Sequence, residues 1–337
     1  MPALPAPERA KHARRKLLVL VLVVLAVLIA TGVAAAANGG FSPQHAHSPN
    51  AHRIDQAYWL IFGFTSVIFV LVETALVVFI VRYRSRGRAR TVEGSQLHGH
   101  TRLELIWTAI PIVIIVVIFS FVFYKLPGIS GPPKASASGG NIQIKVDSHQ
   151  FYWQFTYPSG AVSIDQLHLP VGRVAELSLN SEDVIHSWWI PQLGGKTDAI
   201  PGKTNHTWYR PGKIGTYMGQ CAEFCGLYHE RMLALTVVTS EADYRRFVHG
   251  GAATQLGKAE WLGTCAKCHG PQGEGGYGPP LANNPILIQN AGLEAIIHNG
   301  RGLMPDVGNN WTTQQLRALE AYVKAHVYKA GGATSGG

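Results

Sequence analysis

The chain has 337 residues, of which 47% are hydrophobic and only 15% are charged, and its formal net charge is +9. So low a charged fraction argues against a wholly soluble protein, and the length allows two small domains beside membrane segments. Much of the positive charge lies in short runs next to apolar segments rather than in a basic stripe interleaved with aromatic residues, which argues against a nucleic-acid-binding protein.

The first apolar segment, from Leu17 to Ala37, is uncharged and follows the basic run Arg14-Arg15-Lys16. Its small-residue end is typical of a secretory signal peptide, but the segment is also long enough to span a bilayer. For residues 1–37 we favour a signal peptide cleaved near Ala37 over a retained membrane segment. Residues 38–55 contain loosely spaced histidines, which favour an extracytoplasmic linker over a metal site.

Residues 56–127 are predicted to form a two-helix transmembrane hairpin, with helices at about 57–81 and 105–124. The loop between them is rich in arginine, which marks the cytoplasmic side, so everything after Pro127 is predicted to lie outside the cytoplasm. The chain is therefore expected to be a multi-pass protein of a bacterial plasma membrane. Glu73, within the first helix, is a candidate functional carboxylate, although we favour a protonated Glu73 bonded to a helix of a partner subunit.

Beyond the hairpin, residues 128–141 are rich in Pro, Gly and Ser and predict a linker. Short β-prone segments separated by Gly and Pro turns follow, which predicts a β-sandwich or barrel over residues 142–240. Residues 241–254 predict a second linker with a short helical start. A helical domain is expected over residues 255–330, and a loose tail over residues 331–337.

Within the β-rich region, Cys221, Cys225, His229 and Met232 lie close together along the chain, and His186 lies upstream in a strand-like stretch. Thiolate, thioether and imidazole are the ligands that copper prefers, and the second cysteine allows two copper ions to share bridging sulfurs. A disulfide, a zinc site and one face of a helix are the alternatives. Met232 speaks against zinc, and the surrounding glycines favour a loop over a helix.

Cys265-Ala-Lys-Cys268-His269 is a c-type haem attachment motif, in which both thiols form thioethers and His269 becomes an axial ligand of the iron. A redox dithiol or half of a zinc site would share the pattern, but no βαβ setting and no further cysteines support them. Met304 is the only methionine in this region and is the predicted second axial ligand, with His298 as its rival.

These motifs resemble those of known protein families. Residues 50–240 resemble subunit II of haem-copper cytochrome c oxidase, through Glu104-Leu-Ile-Trp107, Ile110-Pro111, Lys196-Thr-Asp-Ala-Ile-Pro-Gly202 and Gly219-Gln-Cys221. Residues 255–330 resemble a small class I cytochrome c, and Gly278-Pro-Pro-Leu281 matches its loop on the proximal side of the haem. Together they resemble a caa3-type oxidase, whose subunit II carries a fused C-terminal cytochrome c.

The resemblance implies a multi-domain membrane protein: an N-terminal two-helix transmembrane hairpin, an all-β cupredoxin domain and an all-α class I cytochrome c domain. It implies that the binuclear copper centre called CuA is held by His186, Cys221, the backbone carbonyl of Glu223, Cys225, His229 and Met232. The Glu223 carboxylate would face a magnesium ion shared with subunit I. Glu104 would lie at the mouth of a proton channel in subunit I.

The implied function is transfer of electrons from haem c to CuA and on to subunit I, where oxygen is reduced to water with proton translocation. No catalytic residue for oxygen is expected in this chain. The implied partners are subunit I, subunit III and a donor such as a quinol:cytochrome c reductase or a cytochrome c.

One position departs from the family pattern. The family reads His-Gln-Trp-Tyr-Trp where this chain has His149-Gln-Phe151-Tyr-Trp153, so the tryptophan through which a soluble cytochrome usually delivers electrons is replaced by Phe151. A tethered haem would not need that route, and Trp153 is predicted to be a core residue rather than a relay.

Three other protein classes are weaker interpretations. A nitrous oxide reductase needs a large additional domain, a quinol oxidase subunit lacks the copper ligands, and a copper-assembly protein needs no haem motif.

Overall fold

The computed structural model of the chain describes residues 42–83, 98–133 and 140–329. The predicted signal peptide, most of the arginine-rich loop and the C-terminal tail lie outside these ranges. The chain divides into two compact units, one comprising residues 1–44 and 55–126 and the other residues 45–54 and 127–337. They are described separately.

The first unit contains two long apolar helices, and both are long and apolar enough to cross a membrane. Helix α1 spans Pro49–Tyr83 and helix α2 spans Thr101–Lys125. Their large apolar side chains are widely exposed, Ile80 and Leu105 among them, as expected of helices whose surroundings are lipid or partner helices. The two predicted spans are confirmed as helices, and both begin earlier than predicted.

The start of α1 corrects the predicted linker over residues 38–55. Pro49 occupies the first helical position, where its missing N–H costs nothing, and Asn50 is only 1% exposed. The Asn50 side-chain amide donates to the Trp208 carbonyl at 2.7 Å, which makes burial of this polar residue tolerable. The predicted linker 128–141 is corrected in the same way, because a short helix α3, Pro127–Ser130, opens it and the Trp208 indole donates to the Ile129 carbonyl.

The second unit is built around a sandwich of two five-stranded sheets, which confirms the predicted cupredoxin-like β-domain. One sheet has the order β3-β2-β1-β5-β8 and the other β4-β10-β9-β6-β7. The strands are β1 Ile142–His149, β2 Tyr152–Thr156, β3 Val162–Ile164, β4 Gln166–Pro170, β5 Ala175–Ser181, β6 His186–Trp189, β7 Thr197–Ala199, β8 Asn205–Tyr209, β9 Gly215–Cys221 and β10 Leu233–Thr239.

The sandwich core follows from the alternation of apolar and polar residues. Ile142, Ile144 and Val146 on β1 point inward and are at most 5% exposed, and β1 pairs in parallel with β5, where Leu177 and Leu179 are fully buried. The opposite sheet contributes its own inward residues from β9, β6 and β10.

The helical C-terminal domain follows directly, as predicted for residues 255–330. Its helices are α4 Glu241–Arg246, α5 Ala252–Glu260, α6 Ala266–His269, α7 Asn290–Asn299 and α8 Thr313–Tyr322. Wide helical turns at Phe247–Gly251, Trp261–Cys265 and Val323–Val327 extend α4, α5 and α8, so the predicted linker over 241–254 is mostly helical.

Two sequence signals account for the packing of α5 against α8. Thr312 and Gln315 form a reciprocal capping box that starts α8. Gly257 on α5 lies so close to α8 that a Cβ atom there would come within 2.0 Å of the Ala318 carbonyl oxygen. Only glycine permits this separation.

Candidate metal centre and haem site

The copper motif lies at one end of the sandwich, where two neighbouring strands stop. His186 opens β6 and Cys221 closes β9, and the register pairs Trp188 with Cys221. The loop after Cys221 returns through a short 3₁₀ turn, His229–Arg231, to Met232, whose carbonyl accepts a hydrogen bond from the Cys221 N–H at 2.9 Å. This closed hairpin loop brings residues eleven positions apart in sequence to one point.

The predicted donor atoms converge in this loop. The sulfur of Cys221 lies 3.8 Å from Nδ1 of His186 and 3.2 Å from the carbonyl oxygen of Glu223. The sulfur of Cys225 lies 3.4 Å from Nδ1 of His229 and 3.8 Å from the sulfur of Met232. Donor atoms of His186, Cys221 and Cys225 all lie within 4.8 Å of one another, which makes them the one such His, Cys or carboxylate cluster among the described residues.

The chemistry of the set fits soft copper. Both cysteines and Met232 are at most 3% exposed, and both thiols are free rather than joined in a disulfide. A thioether donor beside two thiols and two imidazoles is poorly suited to zinc. The free thiols therefore argue against the disulfide alternative, and the donor chemistry argues against zinc.

Asp183 orients one of these imidazoles, and sequence reasoning missed it. Nε2 of His186 donates to Oδ1 of Asp183 at 2.8 Å, which leaves Nδ1 directed at Cys221. Burial alone would raise the pKa of Asp183, but hydrogen bonds from His186 and from the Gln150 and Val184 amides hold it below its usual value. The available signal was an acidic residue three positions before the histidine.

The two thiols are electrostatically unequal. A hydrogen bond from Cys225 lowers the pKa of Cys221 and outweighs the effect of burial, and His186 and the Ser187 and Glu223 backbones lower it further. The hydrogen bond to Cys221 and burial raise the pKa of Cys225, so the loop favours a thiolate at Cys221 over one at Cys225.

Glu223 presents its carboxylate away from this cluster. The side chain is 46% exposed and lies 3.8 Å from the Lys196 ammonium, a long and weak ion pair. Only its backbone carbonyl approaches the sulfur atoms.

In the haem motif, His269 is fixed by the loop that follows it. Nδ1 of His269 lies 2.8 Å from the Pro279 carbonyl, which can only accept a hydrogen bond, so Nε2 is left free to bind a metal. A Cβ atom at Gly278 would come within 2.6 Å of the His269 ring. The thiols of Cys265 and Cys268 are free and half-buried. This arrangement fits covalent haem.

Met304 closes a tight turn in which Arg301 and Met304 exchange backbone hydrogen bonds of 2.9 and 3.1 Å. Its side chain is half-buried, and the neighbouring Leu303 is fully exposed. The rival ligand His298 is also half-buried, in the last turn of α7.

The remaining candidates take distinct places. Glu104 caps the start of α2, where its carboxylate accepts from the His100 N–H at 3.0 Å. Glu73 lies within α1. Trp153 is fully buried and meets the rings of His186 and Trp188 edge to face, as a core residue should. The Phe151 ring contacts Tyr228 in the copper loop.

Comparisons with known proteins agree with this geometry. Three family models match: "Cytochrome C oxidase subunit II, transmembrane domain" over residues 36–124, "Cytochrome C oxidase subunit II, periplasmic domain" over residues 161–239, and "Cytochrome C oxidase, cbb3-type, subunit III" over residues 252–323. Cytochrome c oxidase subunit 2 of Alkalihalophilus pseudofirmus is 32% identical over 252 residues, which cover 68% of this chain and 72% of the relative. The chain belongs to the cytochrome c oxidase subunit 2 family.

Other members show similar levels of identity. Cytochrome c oxidase subunit 2 of Thermostichus vulcanus is 30% identical and covers 61% of this chain and 76% of its own length. The solved periplasmic domain of subunit II of the cytochrome oxidase of Bradyrhizobium japonicum is 30% identical, with a TM-score of 0.33, and covers 36% of this chain and 95% of its own.

As a subunit 2, the chain is part of a haem-copper terminal oxidase, an oxidoreductase, and it works in a membrane with subunit I as its partner. Its subunit II domain implies a CuA copper centre, and its C-terminal domain implies haem c.

Proposed function

We propose that this chain is the subunit through which electrons enter a caa3-type oxidase, passing from haem c to CuA and on to subunit I. There oxygen is reduced to water and protons are translocated. The observation that carries the proposal is the convergence of His186, Cys221, Cys225, His229 and Met232 at one end of the sandwich, in the same chain as a c-type haem motif.

The two sites supply complementary chemistry: when bound, a two-copper centre and a haem iron each take up and release single electrons. Six groups would hold the copper, namely His186, Cys221, the Glu223 carbonyl, Cys225, His229 and Met232. Cys265 and Cys268 would hold the haem covalently, and His269 and Met304 would ligate its iron.

The protein's part is to fix these groups before any electron moves. Asp183 holds His186 in one tautomer, and the Pro279 carbonyl does the same for His269. Nearly complete burial of Cys221, Cys225 and Met232 keeps water from the copper donors. Ligands held this firmly change little between oxidation states, which favours rapid transfer.

The wider setting completes the proposal. Because an arginine-rich loop favours the cytoplasmic side, both redox domains would lie on the extracytoplasmic side of a bacterial plasma membrane. Subunit III and a donor such as a quinol:cytochrome c reductase or a cytochrome c would complete the pathway. The exposed Glu223 carboxylate would reach a magnesium ion shared with subunit I, and Glu104 would lie at a proton-channel mouth.

Metal analysis and spectroscopy of the purified, fully assembled oxidase test this function. We expect two copper ions bound by this chain, a mixed-valence two-copper EPR signal and a covalent c-type haem band. After rapid reduction of haem c by light, its oxidation should coincide with reduction of the copper pair. A single copper per chain, or haem oxidation that bypasses copper, would contradict the proposal.

The axial ligand can be tested separately. Met304→Leu should lower the haem c potential and alter its optical spectrum, because thioether ligation stabilises the reduced iron. Met218→Leu is the matched control, since Met218 is 62% exposed on β9. If His298→Leu produces these changes and Met304→Leu does not, His298 is the ligand instead.

A further inference from the structure

The cytochrome domain packs directly against the copper domain. Tyr152 on β2 and Ile164 on β3 belong to the same buried apolar cluster as Trp261, Trp311 and Leu316 of the cytochrome domain. The outer face of the β3-β2 edge therefore forms part of the core of the cytochrome domain. Separating the two would expose this apolar surface to water.

Polar groups across this seam are paired as well. The Tyr152 hydroxyl donates to the Val307 carbonyl at 2.5 Å and accepts from the Trp311 indole at 2.9 Å. The Gln315 amide donates to the Gln154 side chain at 2.8 Å. Buried hydrogen bonds of this kind are directional, so they favour one docked orientation over others.

The haem motif itself takes part in this contact through Lys267, the residue just before Cys268. Its ammonium donates to Oδ2 of Asp165 at 2.6 Å and to the Phe151 carbonyl at 2.7 Å, and both partners of the ion pair are less than one fifth exposed. Asp165 is held in turn, because its Oδ1 accepts from the Trp153 N–H at 2.9 Å. Lys267 thus joins the haem segment to the turn between β1 and β2 and to the bend between β3 and β4.

The copper loop contacts the same haem segment on its other side. Arg231, which directly precedes Met232, donates to the Lys267 carbonyl at 3.1 Å and lies over the Tyr277 ring at 4.6 Å. Tyr277 also contacts Tyr228, with ring centroids 4.7 Å apart, and Tyr228 contacts Phe151. Aromatic rings therefore fill the space between the haem loop and the copper loop.

The haem-bearing turn is also packed tightly against the copper domain at Gly263. Gly263, two residues before Cys265, faces Ile164, and a Cβ atom there would come within 2.5 Å of Cγ2 of Ile164. Any side chain at this position would push the haem-bearing turn away from the copper domain.

We propose that Lys267 and Asp165 are positioning residues that hold the haem motif in one fixed orientation against the copper loop. Electron transfer from haem c to copper then occurs within a permanently docked body and needs no encounter between tethered domains. This rests on the proposed function. The step moves one electron from the reduced haem iron to the oxidised copper pair, and no bond forms or breaks.

The test uses the purified, complete oxidase with Lys267→Met, Asp165→Asn and both changes together. Lys258→Met is the matched control, since Lys258 is exposed on α5 of the same domain. Pulsed EPR measures the distribution of distances between the oxidised copper centre and the haem iron, and flash reduction measures the transfer rate in buffers of increasing viscosity.

For the unaltered oxidase and for Lys258→Met we expect a narrow distance distribution and a rate that does not depend on viscosity. Each single variant should broaden the distribution, slow transfer at least about tenfold, since small misplacements are costly, and make the rate viscosity-dependent. The double variant should be no worse than the singles, because both remove the same ion pair. Lys267→Arg keeps the positive charge and should retain most of the transfer rate of the unaltered oxidase.

If the lysine variant fails to assemble, Gly263→Ala is an independent test, because the added methyl group should push the haem-bearing turn away from the copper domain. It should broaden the distribution of copper-to-iron distances in the same way. A broad distribution or viscosity-limited transfer in the unaltered oxidase would overturn the docking proposal, as would single variants that match the control. Failure of the proposed function has a different signature, namely a missing two-copper signal or no copper reduction by haem at all.

Discussion

Replacing Cys225 with serine is expected to remove the two-copper centre while leaving haem c in place. Cys225 contacts both His229 and Met232 and is 3% exposed, so its loss takes away the sulfur that joins these two donors. Haem c should still be reduced by donors but should then stay reduced. Because loss of an outer partner alone costs about 10–100-fold in metal affinity or activity, we expect turnover to fall by at least about 100-fold.

Copper content, EPR and the redox state of haem c during turnover measure this outcome. The reciprocal variant, Cys268→Ser, serves as the control, since it should weaken covalent haem attachment and leave the two-copper signal intact. If Cys225→Ser retains the mixed-valence signal, Cys225 does not bridge the metals and the donor assignment is wrong.

The second large effect is expected at Glu260, a carboxyl group buried at the end of α5. The residue is 0% exposed, and burial raises its pKa from 4.5 to about 9. The Gln315 amide lies close enough to lower that pKa in part, yet neither carboxyl oxygen meets hydrogen-bond geometry with a described residue. Glu260 is therefore protonated in the folded protein at neutral pH.

The sign of the pH dependence follows. The folded state binds the proton more tightly than the unfolded state, so this contribution is fully present below pH 4.5 and is lost as the pH rises towards about 9. Each pH unit in that window costs about 1.4 kcal/mol, which amounts to roughly 3 kcal/mol at neutral pH. Glu260→Gln removes the titration and should stabilise the cytochrome domain by this order at pH 7 to 8.

Denaturant unfolding followed by haem absorption, repeated at intervals between pH 5 and pH 9, measures the difference. The stabilisation should grow with pH and nearly vanish at the acidic end. A constant offset between Glu260→Gln and the unaltered protein at every pH would show that Glu260 is ionised in the fold.

Short-range patterns made much of this molecule predictable. Several of these patterns are local in sequence: the apolar spans, the alternation on β1, and the spacing of Cys221, Cys225, His229 and Met232. The helices, the strands and the loop that carries the copper donors could therefore be predicted. His186 was expected to come from a neighbouring loop, and the structure shows it instead as the first residue of β6. The bounds of α1 were missed because Asn50 is polar, and only its contact with Trp208 explains its burial.

The unpredicted features depend on long-range pairs. Asp183 became significant only when the fold showed its carboxylate against His186. Lys267 and Asp165 are about a hundred positions apart, and the sequence presents the first as a variable position in a haem motif and the second as a turn residue. Periodicity and motif spacing do not report such pairs, so the packed contact between the two domains was not predicted.

The shared core has a consequence for how the protein must be made. Tyr152 and Ile164 are synthesised well before Trp311 and Leu316, the residues that pack against them. Until the last helix has been synthesised, the copper domain exposes an apolar surface at its β3-β2 edge. A chain truncated near residue 240 should therefore aggregate. The apolar edge is covered only when both domains are present, so stable folding of the copper domain should depend on folding of the cytochrome domain.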